Sequence, residues 1–261
     1  MRYEAPDTID AAIAILAAED GIARVLAGGT DLLVQIRSDM IEPDLVVDIK
    51  NINSMRSITP ENGGYRIGGA VSCAEMGEHA DLCAQWPGVV EAAELIGSTQ
   101  VQGRATMTGN LCNCGPAADS VPAMVAAEAI ATIVGPNGRR DIPVEDMPVA
   151  PGKSSLTKGE IVESVFLPAR PERSGDAYLR FIPRTEMDIA VVGVGISLTL
   201  DGHGTCTHAR VGLGAVAATV LLVDDAAKAL IGTRVDDAAL DKLAAATSAA
   251  CKPINDKRGT I

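Results

Sequence analysis

The chain has 261 residues and a net charge of −12, with 47% hydrophobic, 21% charged and 2% aromatic residues. This composition is globular and long enough for two modest cores, and its acidic balance argues against a nucleic-acid backbone or an anionic membrane surface as partner, since both reward basic patches. The longest nearly apolar runs, 189–200 and 211–223, fall short of the ~20 residues of a membrane-spanning helix, and the N-terminus lacks a charged-then-apolar leader. The expectation is a cytoplasmic protein with no membrane insertion.

Ile9, Ile13 and Leu16 recur at helical spacing, so 7–19 reads as an amphipathic helix, capped by Asp7 and ended by Gly21. Residues 23–27 read as a strand broken by Gly28-Gly29. Leu32, Leu33, Ile36 and Met40 give a helical stripe, and 45–49 a buried strand, together a unit of βαβ size. Residues 65–71 form the next strand. Ser72-Cys73-Ala74-Glu75 has capping-box spacing and opens a helix to about residue 80. Helices over 86–96, with Pro87 in the first turn, and over 119–128 follow. Strands 131–134 and 139–142 flank the turn Gly135-Pro136-Asn137-Gly138, and strand 160–167 closes the region. The Pro-, Gly- and charge-rich segment 168–175 reads as a linker. Beyond it, 177–184, 190–200 and 206–213 read as three strands, the last two joined at Asp201-Gly202, with helices near 223–230 and 236–250. The expected fold is α+β in two domains, 1–170 and 171–261, the first divided into subdomains of about 1–55 and 56–170.

Two stretches are rich in hydrogen-bond donors and poor in apolar area. Ala27-Gly28-Gly29-Thr30-Asp31 joins a strand to a helix N-terminus, where successive amides and the helix dipole suit phosphate. Taken alone, it reads better as an ordinary tight turn. In 104–122, Thr106-Met107-Thr108-Gly109-Asn110 reads as a loop with two hydroxyls and a glycine, and Asp119 follows nine residues later. Such a loop can satisfy a pyrophosphate, with Asp119 on a ribose hydroxyl or an amine; equally, Asp119 can be a helix cap. Gly212-Leu213-Gly214-Ala215-Val216-Ala217 matches the dinucleotide fingerprint, with Asp236 and Asp237 downstream, but an extended run at 218–222 replaces the helix that fingerprint needs. Six cysteines without a Cys-x-x-Cys pair read as reduced thiols. Cys112-x-Cys114 and His203-x-x-Cys206-x-His208 lack complete ligand sets and read as structural. No histidine stands near a nucleophile in triad-like order.

Ala27-Gly28-Gly29-Thr30-Asp31-Leu32-Leu33 and Arg104-Ala105-Thr106-Met107-Thr108-Gly109-Asn110-Leu111, followed by Pro116-Ala117-Ala118-Asp119, resemble the FAD-binding medium subunit of molybdenum hydroxylases. This is the family of xanthine dehydrogenase and carbon monoxide dehydrogenase. The likeness spans essentially the whole chain, through Gly159-Glu160-Ile161-Val162, Arg184-x-x-x-Asp188-Ile189-Ala190 and Pro253-x-x-Asp256-x-Arg258-Gly259; family members usually continue into a short helical tail.

The resemblance implies a two-subdomain PCMH-type FAD-binding domain followed by a small C-terminal α+β domain with a three-stranded sheet. It places Leu26, Ala27, Gly28, Gly29, Thr30, Asp31, Leu32 and Leu33 on the FAD pyrophosphate. Thr106, Thr108, Gly109 and Asn110 would cover pyrophosphate and ribityl, Asp119 would contact the FAD, and Ile96, Val162 and Arg180 would flank the flavin. The flavin would be non-covalent, since neither loop holds a histidine. Thr108 stands where the family usually has glycine, which puts a Cβ into the second loop. No catalytic side chain and no metal is implied on this chain. A small subunit would carry [2Fe–2S] clusters and a large one molybdopterin, in a dimer of heterotrimers, with electrons passing through FAD to an external acceptor. The rival readings are a stand-alone FAD oxidoreductase of the vanillyl-alcohol-oxidase or enolpyruvyl-reductase type and a flavin-less scaffold subunit.

Overall fold

The apolar run before Asp48 organises the first sheet. In the computed structural model, which describes every residue except 186 and 258, β3 (Leu45–Asp48) is buried along its length. It lies between β1 (Arg2–Glu4) and β2 (Ala23–Leu26), parallel to both. A central parallel strand is covered on both faces, which is why its sequence does not alternate. Ala12 and Leu16 of α1 (Ile9–Ala18) pack onto it. The cap of α1 is Thr8 rather than Asp7: the Thr8 hydroxyl accepts from the Ala11 amide, the geometry an N-cap side chain needs.

The βαβ unit is completed by α2 (Leu32–Arg37), but the expected core stripe does not form. The helix has six residues and buries none of them; Leu33 is 49% and Val34 61% exposed, and Met40 lies past its end.

The second sheet is antiparallel throughout, in the order β4 (Ile58–Glu61), β5 (Gly64–Gly68), β10 (Ile161–Leu167), β6 (Ile130–Gly135), β7 (Gly138–Pro143). A small pair, β8 (Pro148–Ala150) and β9 (Lys153–Ser154), stands beside it. Six short helices pack around this sheet: α3 (Cys73–Glu78), α4 (Ala80–Gln85), α5 (Pro87–Glu94), α6 (Thr99–Gln102), α7 (Met107–Asn113) and α8 (Ser120–Ala126). The capping box at Ser72 is formed in both directions, and Pro87 occupies the first turn of α5. The core is aliphatic, with Met76, Leu82, Val89, Leu111, Met124, Ile133 and Val165 fully buried.

The C-terminal sheet has four strands, not three: β11 (Ser174–Phe181), β12 (Val192–Leu200), β13 (Cys206–Gly214) and a two-residue β14 (Leu221–Leu222). The last is too short for its pattern to register. α9 (Asp224–Leu230) and α10 (Asp237–Ala250), the latter capped by Asp236, cover this sheet. On its other face lies α8. A Cβ at Gly195 or Gly212 would overlap the Pro122 carbonyl, and one at Gly214 would stand 2.7 Å from Pro122 Cγ. The Gly-x-Gly match is therefore a groove in a strand for a helix backbone, which explains why no nucleotide-binding turn follows it.

Segment 168–175 is anchored. Arg170 donates to the Gln85 carbonyl (2.6 Å) and pairs with Asp176 (2.9 Å), while Trp86 Nε1 donates to the Pro168 carbonyl (2.9 Å). Among the described residues no helix is long and apolar enough to cross a membrane. Of the near-terminal motif, Arg258 lies outside the described residues.

Candidate functional site

Gly28 and Gly29 have different duties. Gly29 has φ +77°, a left-handed backbone that favours glycine, and a Cβ there would stand 2.8 Å from Leu26 Cδ1 and 3.2 Å from Leu33 Cδ1. Gly28 needs its bareness for close approach: a Cβ would overlap the Arg104 carbonyl and the backbone running into Ala105. The two donor-rich stretches, 76 residues apart in sequence, thus meet main chain to main chain.

Between them opens a cleft of about 780 Å³, within the ~300–1,000 Å³ of small-molecule and cofactor sites. Among the described residues, no hydrogen bond within the protein engages the amides of Gly28, Gly29, Thr30 or Asp31. Across the cleft, Thr108 also presents an unengaged amide in the first turn of α7, while the antiparallel bridge between Ser72 and Thr106 turns the Met107 amide towards the chain before Ser72. Gln35 Nε2 donates to Asn113 Oδ1 (2.9 Å), tying α2 to α7 across the lining. With six and seven residues, α2 and α7 are too short for a helix dipole to dominate; the amides themselves are the donors.

The second stretch is a helix rather than a loop. Thr106 opens α7, its hydroxyl accepting from the Gly109 amide (2.8 Å), while Met107, Thr108 and Leu111 face inward. Thr108 has ordinary negative-φ helical backbone, so its Cβ carries no left-handed strain. Asn110 Oδ1 accepts from the Ser120 hydroxyl (2.7 Å) and amide (3.2 Å), which leaves its Nδ2 as the unengaged end.

Of the residues singled out from sequence, Ala27, Gly28, Gly29, Thr30, Asp31, Leu32, Ile96, Thr106, Thr108, Gly109, Asn110 and Val162 line the cleft. Leu26 is buried behind the first turn, and half-exposed Leu33 closes over Gly29 from outside. Asp119 and Arg180 lie outside the lining. Asp119 accepts from Tyr178 Oη (2.9 Å) and Arg180 Nη1 (2.8 Å), so it does not cap α8; it joins α8 to β11. Burial pushes the Asp119 carboxyl up, against the pull of Arg180 and Tyr178. Burial likewise raises Asp31 at the cleft wall.

Val162 apart, sequence reading missed the wall formed by residues between 152 and 161. There Glu160 accepts two 2.8 Å bonds from Arg140 and one of 2.7 Å from the Thr157 amide, which holds its carboxyl down at about 2. A polar run without periodicity gave no sign of this. It also missed Tyr178, although Tyr178 and Arg180 are two apart on a strand and share a face.

Neither cysteine–histidine set gathers ligands. Burial pushes Cys112 up to about 12 and Cys114 up to about 11, leaving both thiols protonated. His208 pairs with Glu128 (2.7 Å), and among the described residues no three metal-ligating side chains come together.

A bipartite domain with two glycine-bearing walls around one cleft, and an α+β domain on its flank, defines a protein built to hold a phosphate-bearing cofactor between two subdomains. The family described as FAD binding domain in molybdopterin dehydrogenase matches residues 1–170, and CO dehydrogenase flavoprotein C-terminal domain matches 177–261. The chain is 30% identical over 258 residues to the carbon monoxide dehydrogenase medium chain of Hydrogenophaga pseudoflava, covering 99% of this chain and 89% of that one. It is 33% identical over 219 residues to a putative xanthine dehydrogenase FAD-binding subunit of Escherichia coli, covering 83% and 74%. It superposes on a chain of the reconstituted CO dehydrogenase from Oligotropha carboxidovorans with a TM-score of 0.95, at 31% identity over 100% of this chain and 90% of that one. The chain belongs to the family of FAD-binding medium subunits of molybdenum hydroxylases.

Proposed function

We propose that this chain is the electron-transfer subunit of a molybdenum hydroxylase, assembled with a small iron–sulfur subunit and a large molybdopterin subunit as a dimer of heterotrimers. The observation that carries the reading is the set of unengaged amides from two subdomains facing one cleft. Amides over 28–31 would hold diphosphate oxygens, which are satisfied by neutral donors at close range. Thr106, Thr108 and Asn110 add hydroxyl and amide groups for the remaining phosphate and ribityl oxygens, while Ile96 and Val162 offer apolar side chains to the ring. Asp31, made easier to protonate by burial, suits a hydroxyl better than a phosphate. Asp119 and Arg180 would contribute by fixing the C-terminal domain against α8. When bound, FAD would supply the redox chemistry by which electrons from [2Fe–2S] clusters of the small subunit would reach an external acceptor.

The complex purified through this chain should be yellow and carry stoichiometric FAD together with iron and molybdenum. Gly29→Val, which places a branched side chain at φ +77° against Leu26 and Leu33, should empty the cleft of flavin while far-UV circular dichroism stays unchanged. A colourless wild-type protein that cannot be reconstituted with FAD overturns the function. Wild-type flavin content in Gly29→Val overturns the diphosphate assignment.

A further inference from the structure

Behind the first glycine turn, outside the cleft lining, stands a side chain that the cofactor reading has not used. Lys50 Nζ donates to the Ala27 carbonyl (3.0 Å) and to Asp48 Oδ1 (2.7 Å), and its own amide also donates to that oxygen (2.9 Å). Tyr3 Oη donates to the other oxygen, Asp48 Oδ2 (2.7 Å). Asp48 is 7% exposed and the Lys50 side chain 33%, so the ammonium is held in a fixed place rather than waving in solvent. Against the push of burial, the bonds from Lys50 and Tyr3 hold Asp48 below the usual carboxylate range.

The Ala27–Gly28 peptide is planar and trans, so its C=O and N–H point in opposite directions. A carbonyl held toward Lys50, on the closed side of the turn, turns the Gly28 N–H to the other side, and Gly28 is part of the cleft lining. Glycine on one side of that bond leaves the peptide easy to flip unless something holds it. The ammonium also polarises the peptide it binds, which strengthens the N–H as a donor, because chained hydrogen bonds reinforce one another.

We propose that Lys50 is a positioning residue for the cofactor: by clamping the Ala27 carbonyl it sets the peptide orientation in which the Gly28 amide faces the diphosphate. The inference rests on the FAD reading of the cleft. Its action is indirect, through one peptide bond, and it needs an ammonium or guanidinium within reach of both Asp48 and Ala27.

The test uses the full chain in its complex, deflavinated and titrated with FAD by flavin-fluorescence quenching, with thermal unfolding of the apo form measured alongside. Lys50→Met should weaken FAD binding about tenfold or more, the scale of one lost charge-assisted hydrogen bond. Lys50→Arg should restore most of the affinity. Tyr3→Phe, which weakens the same Asp48 cluster without touching Ala27, should lower the apo melting temperature and leave FAD affinity within about twofold of wild type. Wild-type affinity in Lys50→Met, or an equal loss in Tyr3→Phe, overturns the proposal. If the wild-type chain itself takes up no FAD, the cofactor reading fails instead, which separates the two.

Discussion

At the scale of single residues, the decisive feature is how charge is held. Asp119 and Arg180 are a buried pair, with side chains 11% and 7% exposed, and Tyr178 adds a third bond. Removing one partner strands the other in a poorly solvated place. Asp119→Ala should therefore destabilise the protein by ~3–5 kcal/mol in urea unfolding. Losing less than about 1 kcal/mol would mean that Arg180 finds water or another acceptor. Glu160 behaves differently because its partner Arg140 is nearer the surface. Its folded-state carboxyl is depressed from 4.5 to about 2, so its contribution is complete above the unfolded value and is lost as pH falls from there towards 2. Glu160→Gln should flatten that acid limb of the stability profile; an unchanged acid limb in thermal unfolding would show that other carboxylates set it. Residue roles were readable where they depend on local chain. Gly29 announces itself through its turn, and Ser72 through its spacing to Glu75. Gly28 looks identical to its neighbour, yet its reason lies at Arg104, which no local pattern connects to it.

At the scale of elements, short segments were the least legible, because tertiary contacts decide them. Residues 107–113 carry Thr, Gly and two Asn, a poor helical composition, and still form α7 through the Thr106 cap and the burial of Met107 and Leu111. Conversely, α2 has the helical stripe but no core to face. The parallel β2–α2–β3 crossover and the β6–β7 hairpin were legible because periodicity and turn chemistry agree there. The seat of α8 on β12 and β13 gives an element-level prediction. Gly212→Val puts a side chain into the Pro122 carbonyl and must push helix and sheet apart. It should detach the C-terminal domain, seen as a new protease-sensitive site near 168–175, whereas Gly202→Ala, in open space at the β12–β13 turn, should not. Equal resistance of both variants to protease would contradict that packing role.

At the scale of the whole molecule, the acidic composition argued against nucleic acid and anionic membrane surfaces as partners, and the order of elements already separated a βαβ unit from an antiparallel region. What it could not show was that the site belongs to neither subdomain alone. A ligand held by both walls stabilises their union by mass action, by about 2.7 kcal/mol when its free concentration is a hundred times its Kd. Saturating FAD should therefore raise the melting temperature of the FAD-binding domain measurably, and Gly29→Val should show no such rise. A ligand-induced shift that persists in that variant would place the binding elsewhere.

The contact between Gly28 and the Arg104 main chain has one more consequence. Where two side chains meet, a rotamer change can absorb a misfit; where two backbones meet, nothing can. The base of the cleft thus works as a gauge block, setting the approach of the two walls by the van der Waals contact of main chain on main chain. Substitutions higher on the walls can retune affinity, but the thickness of ligand that fits at the base stays the same until that glycine is lost.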